Sequence, residues 1–235
     1  MSELTKKQLE EALENCATEP VHMPGAIQPH GYFLAFTNNF EQLTHCSTNI
    51  EALLGVSAEH LLGHAAPDYL KTSWQQHLLR LRQISSDSVG FNDEINGHSV
   101  YCTIYVSGEY ICVEVEPVTG TLSSTFLSEL QAHQEQIRCS DSLEKTLNAL
   151  TKSIAEITGF ERVMVYKFDE EWNGQVIAEL CKQSTIRSYL HQRFPASDIP
   201  KQVRELYSKN PIRSIVGSAE QPADIIAHKA GEPLD

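Results

Sequence analysis

Asn96-Gly97, set between FNDEI (91–95) and SVYCTIYV (99–106), leaves its neighbours little choice but a β-hairpin. Asn-Gly readily takes the left-handed dihedrals that a tight two-residue turn requires. Beyond the turn, Val100, Cys102, Ile104 and Val106 alternate with Ser99, Tyr101, Thr103 and Tyr105, the period of a strand with one face buried. YICVEVEP (110–117) continues the pattern, with Ile111, Val113 and Val115 on one side and Glu114 and Glu116 on the other. GYFLAF (31–36) and FEQLTHCS (40–47) read as two earlier strands. Between the two groups, Leu70, Trp74, Leu78, Leu81 and Ile84 recur every three or four residues and predict an amphipathic helix within 67–86. Two strands, helices and a three-stranded meander make an α+β plan of antiparallel sheet flanked by helices.

VTGTLSS (118–124) reads as a linker, followed by a polar helix over 126–139. Asp141 and Glu144 have the spacing of a capping box, and Leu143, Leu147, Leu150, Ile154 and Ile157 form a helical stripe ended by Gly159. RVMVYKF and QVIAEL form a second hairpin around DEEWNG, with Met164, Tyr166 and Phe168 sharing a strand face. Ser197 or Asp198 can cap a helix whose first turn contains Pro200 and whose buried side carries Val203, Leu206 and Tyr207. PIRSIV (211–216) is predicted as a strand. Residues 15–31 carry Pro20, Pro24, Gly25, Pro29 and Gly31, a density of breakers that excludes a regular element.

At 41% hydrophobic and 21% charged, a chain of 235 residues is long enough for one large domain or two of ordinary size and can bury a substantial core. A net charge of −13 disfavours nucleic acid and anionic lipid surfaces as partners. No apolar run is long enough to span a bilayer and the N-terminus is charged, so a cytoplasmic location is expected. The six cysteines include no Cys-x-x-Cys pair, which argues against a zinc site or a disulfide framework. Cys102, Cys112 and Cys181 read as buried strand residues, and His60 and His64 as surface helix positions without a third ligand. No nucleophile, base and oxyanion constellation stands out, which points away from an enzyme.

Three segments, in order, resemble the bacterial phytochrome family: CATEPVHMPGAIQPHG (16–31), ERVMVYKFDEEWNGQVIAE (161–179) and RFPASDIPKQVRELYSKNPIR (193–213), the last with Pro-Ala-Ser-Asp-Ile-Pro unbroken at 195–200. The resemblance implies an extension over 1–16 with an anchor cysteine, a PAS domain with its lasso segment over 17–118, a linker over 119–125 and a GAF domain over 126–235. It also implies that the N-terminal segment threads a GAF loop near Ile27. The function implied is a red/far-red photoreceptor holding a linear tetrapyrrole, biliverdin, by a thioether at Cys16 and signalling by photoisomerisation. A thiol suits addition to a vinyl group, and since Glu14 and Glu19 would raise the Cys16 pKa, attachment relies on proximity.

The family pattern places Met164, Tyr166, Tyr189, Phe194 and Tyr207 around the pigment, with Asp198 beside the pyrrole nitrogens and Ile199 and Pro200 against the rings. Arg213 matches an arginine that holds a propionate, a task suited to a guanidinium. The expected partners are the bilin, a downstream output domain or kinase, and a second copy in a homodimer. The chain ends before the family's later GAF strands, its PHY domain and its histidine kinase, so an incomplete GAF sheet is expected. The rival expectations are a PAS/GAF module for another small ligand or for dimerisation, and a nonfunctional fragment.

Overall fold

The Asn96-Gly97 turn forms with φ of 49° and 78° at its two residues. It joins β4 (Ser88–Ile95) to β5 (His98–Ser107), with Ile95 opposite His98. The computed structural model describes residues 23, 25–84, 86–120, 124–183, 185, 187–209 and 212–229. These fall into two compact units, one drawn from 20–120 and 209–235, the other from 121–208.

The first unit contains β1 (Ala26–Ile27), β2 (Tyr32–Thr37), β3 (Gln42–Ser47), α1 (Glu51–Leu54), α2 (Ala58–Leu61), α3 (Asp68–Gln83), the β4–β5 hairpin, β6 (Tyr110–Pro117) and β10 (Ala223–Ala227). They build an antiparallel seven-stranded sheet in the order β1-β10-β3-β2-β6-β5-β4. Helix α3 presents the expected stripe, with Leu70, Trp74, Leu78 and Leu81 buried. Ile84 lies past its last turn and is 43% exposed. Trp74 packs against Phe36 at 6.0 Å and Phe40 at 5.9 Å. Phe40 holds a left-handed φ of 72°, costly for a bulky residue, yet it is wholly buried, and that packing offsets the strain. The opposite face of the sheet is also covered, since Phe33, Ala35, Tyr110 and Cys112 are buried together with Ile27 and Ile225 packed on them.

Residues 212–216 depart from the strand expected over 211–216, and Ile212, Ile215 and Val216 are exposed. Its backbone is bonded by a side chain instead of a ladder: Gln28 Nε2 donates to the Ser214 carbonyl and Val216 N donates 2.7 Å to Gln28 Oε1. The strand comes later, at β10, where Ala223 faces Ile27 and Ile226 faces Cys46.

In the second unit, α4 (Phe126–Arg138) packs on α5 (Leu143–Thr158), and α5 packs on the sheet β7 (Arg162–Phe168), β8 (Gly174–Cys181) and β9 (Arg193–Phe194), followed by α6 (Lys201–Lys209). Ser142, not Asp141, caps α5, accepting from Lys145 N at 3.3 Å, while Asp141 pairs with Lys145 Nζ at 2.8 Å. Gly159 closes α5 with φ of 77°, and Lys182 Nζ donates to the carbonyls of Ala155 and Gly159, placing a cation on the negative helix end. Thr151, Ser153 and Ala155 are the buried side of α5. The apolar stripe stays partly open, with Leu143 72% and Ile157 41% exposed. Among the described residues no helix is long and apolar enough to cross a membrane.

Candidate functional site

Strand β8 carries the site because Gly174 has no side chain. A Cβ there would meet Tyr166 Cζ at 1.8 Å, so the Tyr166 ring lies directly over the glycine. Phe194 of β9 stands opposite the same glycine. The Tyr166 ring reaches Phe168 at 5.2 Å and Phe194 at 6.0 Å, and Phe194 reaches Tyr189 at 6.0 Å. Phe168 extends the series to Trp172 at 5.8 Å. Tyr166, Phe168, Tyr189 and Phe194 are all half-buried, so the rings form a wall with part of its apolar surface open. Burial pushes the Tyr166 hydroxyl above its ordinary pKa, and the Asp198 carboxylate nearby pushes it further.

Two arginines hold the loops that complete the wall. Arg204 of α6 lies 4.8 Å from the Trp172 ring centre and donates from Nη1 to the carbonyls of Ala196 and Ile199. Trp172 itself takes a φ of 66°, stabilised by Asp169 Oδ1 accepting from Glu171 N at 3.0 Å and Asn173 N at 2.9 Å. Asn173 Oδ1 accepts from Ala196 N at 3.2 Å, tying the hairpin loop to the Pro-Ala-Ser-Asp turn. On the other flank, Arg162 lies 4.5 Å from the Tyr189 ring centre and its Nε stands 3.3 Å from Glu179 Oε1. Burial pushes the Glu179 carboxyl up. The Ser188 hydroxyl, the amides of Tyr189 and Leu190 and the Arg162 charge outweigh it and hold the group below its ordinary value.

The structure therefore brings Tyr166, Tyr189 and Phe194 together, with the exposed Asp198 close enough for its charge to act on Tyr166. Asp198 lies in a 3-10 turn, Ala196–Asp198, and does not cap α6; the Pro200 carbonyl takes the first helical bond, from Arg204 N at 3.1 Å. Ile199 and Pro200 are half-buried in the next step of the chain. Met164 and Tyr207 stand more open, at 42% and 47% exposed. Arg213 is exposed and belongs to the segment grouped with the first unit, as does Ile27, paired with Ala223. Cys16 lies outside the described residues. Among the described residues no cluster of three potential metal ligands occurs. Period-two alternation could have added Phe168; Arg162, Trp172, Glu179 and Arg204 lie within the family-like segments 161–179 and 193–213, but no periodicity or spacing singles them out there.

A half-open wall of aromatic rings suits a flat conjugated ligand. The comparisons with known proteins narrow the class further. Residues 16–118 match the PAS_2 family, a PAS fold. Over 224 residues, 91% of this chain and 30% of the relative, the sequence is 34% identical to cyanobacterial phytochrome B of Nostoc sp.. It is 31% identical to the bacteriophytochrome of Xanthomonas campestris pv. campestris, covering 95% of this chain and 36% of that one. Among solved structures, the wild-type chromophore-binding domain of Stigmatella aurantiaca phytochrome P1 matches with a TM-score of 0.79 and 35% identity, over 94% of this chain and 76% of that one. The fold is that of a phytochrome chromophore-binding domain. The chain belongs to the bacterial phytochrome family. It spans about a third of the length of the curated relatives it matches.

Proposed function

We propose that this chain is a red/far-red photosensory module that holds biliverdin through a thioether at Cys16. The observation that carries the reading is the convergence of Tyr166, Tyr189 and Phe194, far apart in sequence, into one half-open aromatic wall beside Asp198. The family of the chain supports it, and the Stigmatella relative is a chromophore-binding domain by its own description. A bound linear tetrapyrrole supplies red absorption and a photochemical isomerisation at its D-ring methine bridge.

The protein's own residues would do the rest. Cys16 would hold the pigment, its S–H adding across the A-ring vinyl group with the proton going to carbon, a step that would need no oxidant. Tyr166, Tyr189, Phe194, Met164 and Tyr207 exclude water from the rings, while Asp198 accepts from pyrrole N–H groups. Ile199 and Pro200 limit ring movement, and Arg213, assigned by its place in the motif, pairs with a propionate. The module acts as a receptor that passes a population shift to an output domain. Co-expression with a biliverdin source, followed by an absorption spectrum and a zinc-fluorescence gel, tests the reading. A red band on a covalently labelled chain supports it, and a colourless chain overturns it.

A second reading, a dimerisation module, draws on one observation. Leu127 and Leu143, on α4 and α5, are 71% and 72% exposed, and Ile157 on α5 is 41% exposed. Apolar helix positions left this open suit a second copy of the chain.

A further inference from the structure

We propose that Glu179 is a positioning residue for Tyr189, acting through a clamp built with Arg162. The proposal rests on the bilin-binding reading above and assigns a regulating role within that site. The Glu179 side chain is 3% exposed, and a carboxylate that deep requires several donors. It has them from three consecutive residues: the Ser188 hydroxyl, Tyr189 N at 3.1 Å and Leu190 N at 3.2 Å. Arg162 closes the arrangement from the neighbouring strand. Its Nη2 donates 2.6 Å to the Arg187 carbonyl, and its guanidinium lies over the Tyr189 ring.

The two anchors sit on paired strands, Arg162 on β7 and Glu179 on β8, whereas residues 187–190 have no ladder of their own and the backbone ties to β8 resume only at His191, whose N donates 2.8 Å to the Val176 carbonyl. The backbone of Tyr189 is thus fixed by the carboxylate and its ring by the cation, which sets the edge-on contact with Phe194 at 6.0 Å. Without the charge on Glu179, the loop keeps only one neutral acceptor oxygen for three donors, and Arg162 loses its counter-ion. The tyrosine is then free to leave the wall while the β7–β8 pairing remains.

The test uses the full chain with Glu179→Gln, Arg162→Lys and Tyr189→Phe, in two arms. In the first, without pigment, hydrogen exchange is followed at the amides of Tyr189 and Leu190. Glu179→Gln should speed it at least roughly tenfold, with exchange in β7 and β8 unchanged. Equal exchange overturns the clamp. In the second arm, with biliverdin, the red/far-red difference spectrum is recorded. Glu179→Gln and Arg162→Lys should keep the covalent pigment and shift the spectrum in the direction that Tyr189→Phe does. A wild-type spectrum in both variants overturns the positioning role even if the loop is loosened. Should Glu179→Gln fail to fold, Arg162→Lys, which keeps the charge and removes the planar stack, decides the second arm alone. A wild-type chain that takes up no pigment overturns the bilin reading and the positioning role together, while the first arm separately decides whether the clamp exists.

Discussion

Arg204 stacks on Trp172 at 4.8 Å while its Nη1 donates to the carbonyl of Ala196, so one guanidinium joins the hairpin loop to the turn that carries Asp198. The stack adds to the Asp169 hydrogen bonds that hold Trp172 in left-handed backbone, fixing the ring once the loop has set the dihedral.

Arg204→Ala should therefore destabilise the second unit by ~1–3 kcal/mol. Arg204→Lys should recover only part of that, because an ammonium cannot both stack and donate in a plane. Urea unfolding followed by tryptophan fluorescence measures it. Equal midpoints for all three chains would show the stack to be incidental.

Gly174→Ala should move Tyr166. The added Cβ would fall 1.8 Å from the ring, so the ring must swing away from Phe194, at ~1–3 kcal/mol if the strand cannot give. Near-ultraviolet circular dichroism and thermal unfolding report both effects, and unchanged spectra would mean that the strand relaxes freely.

Glu179 predicts a pH dependence. Its carboxyl is held below the ordinary 4.5, so its folded form binds a proton less readily than the unfolded chain does. The stability it contributes is complete above the unfolded value and is lost as pH falls through the lower folded one. The advantage of the wild type over Glu179→Gln should thus be constant near neutrality and shrink only below about pH 4.5. Denaturation curves for both chains at several acidic pH values check the sign, and an advantage that grows on acidification would contradict it.

Much of the first unit was legible because its signals are local. An Asn-Gly turn, strand alternation and the Leu70–Leu81 stripe each act over a few residues, and β4, β5, β6 and α3 follow them. The strand expected over 211–216 is absent from 212–216 and forms later, at β10, because the conformation of 212–229 is set at long range, by Gln28 and by the edge of β3, and no short pattern encodes that. In the site, aromatic residues were found by motif and by strand period. The supports were not, because Glu179 and Arg204 look like surface charges until the loops they hold are seen.

If the exposed apolar positions of α4 and α5 serve a second copy, Leu127→Glu should raise the monomer fraction without lowering stability, since Leu127 is 71% exposed. Light scattering after size exclusion, over a range of concentrations, reads this directly. A chain that is monomeric throughout would remove the dimerisation reading.

Intact-mass analysis and peptide mapping of the chain co-produced with biliverdin, beside Cys16→Ser, decide whether Cys16 carries the pigment. The account predicts a mass gain of one bilin on the wild type, mapped to the peptide containing Cys16, and no covalent gain on the variant. A gain at Cys139 or Cys181, both outside the buried core, or no gain on the wild-type chain, would contradict it.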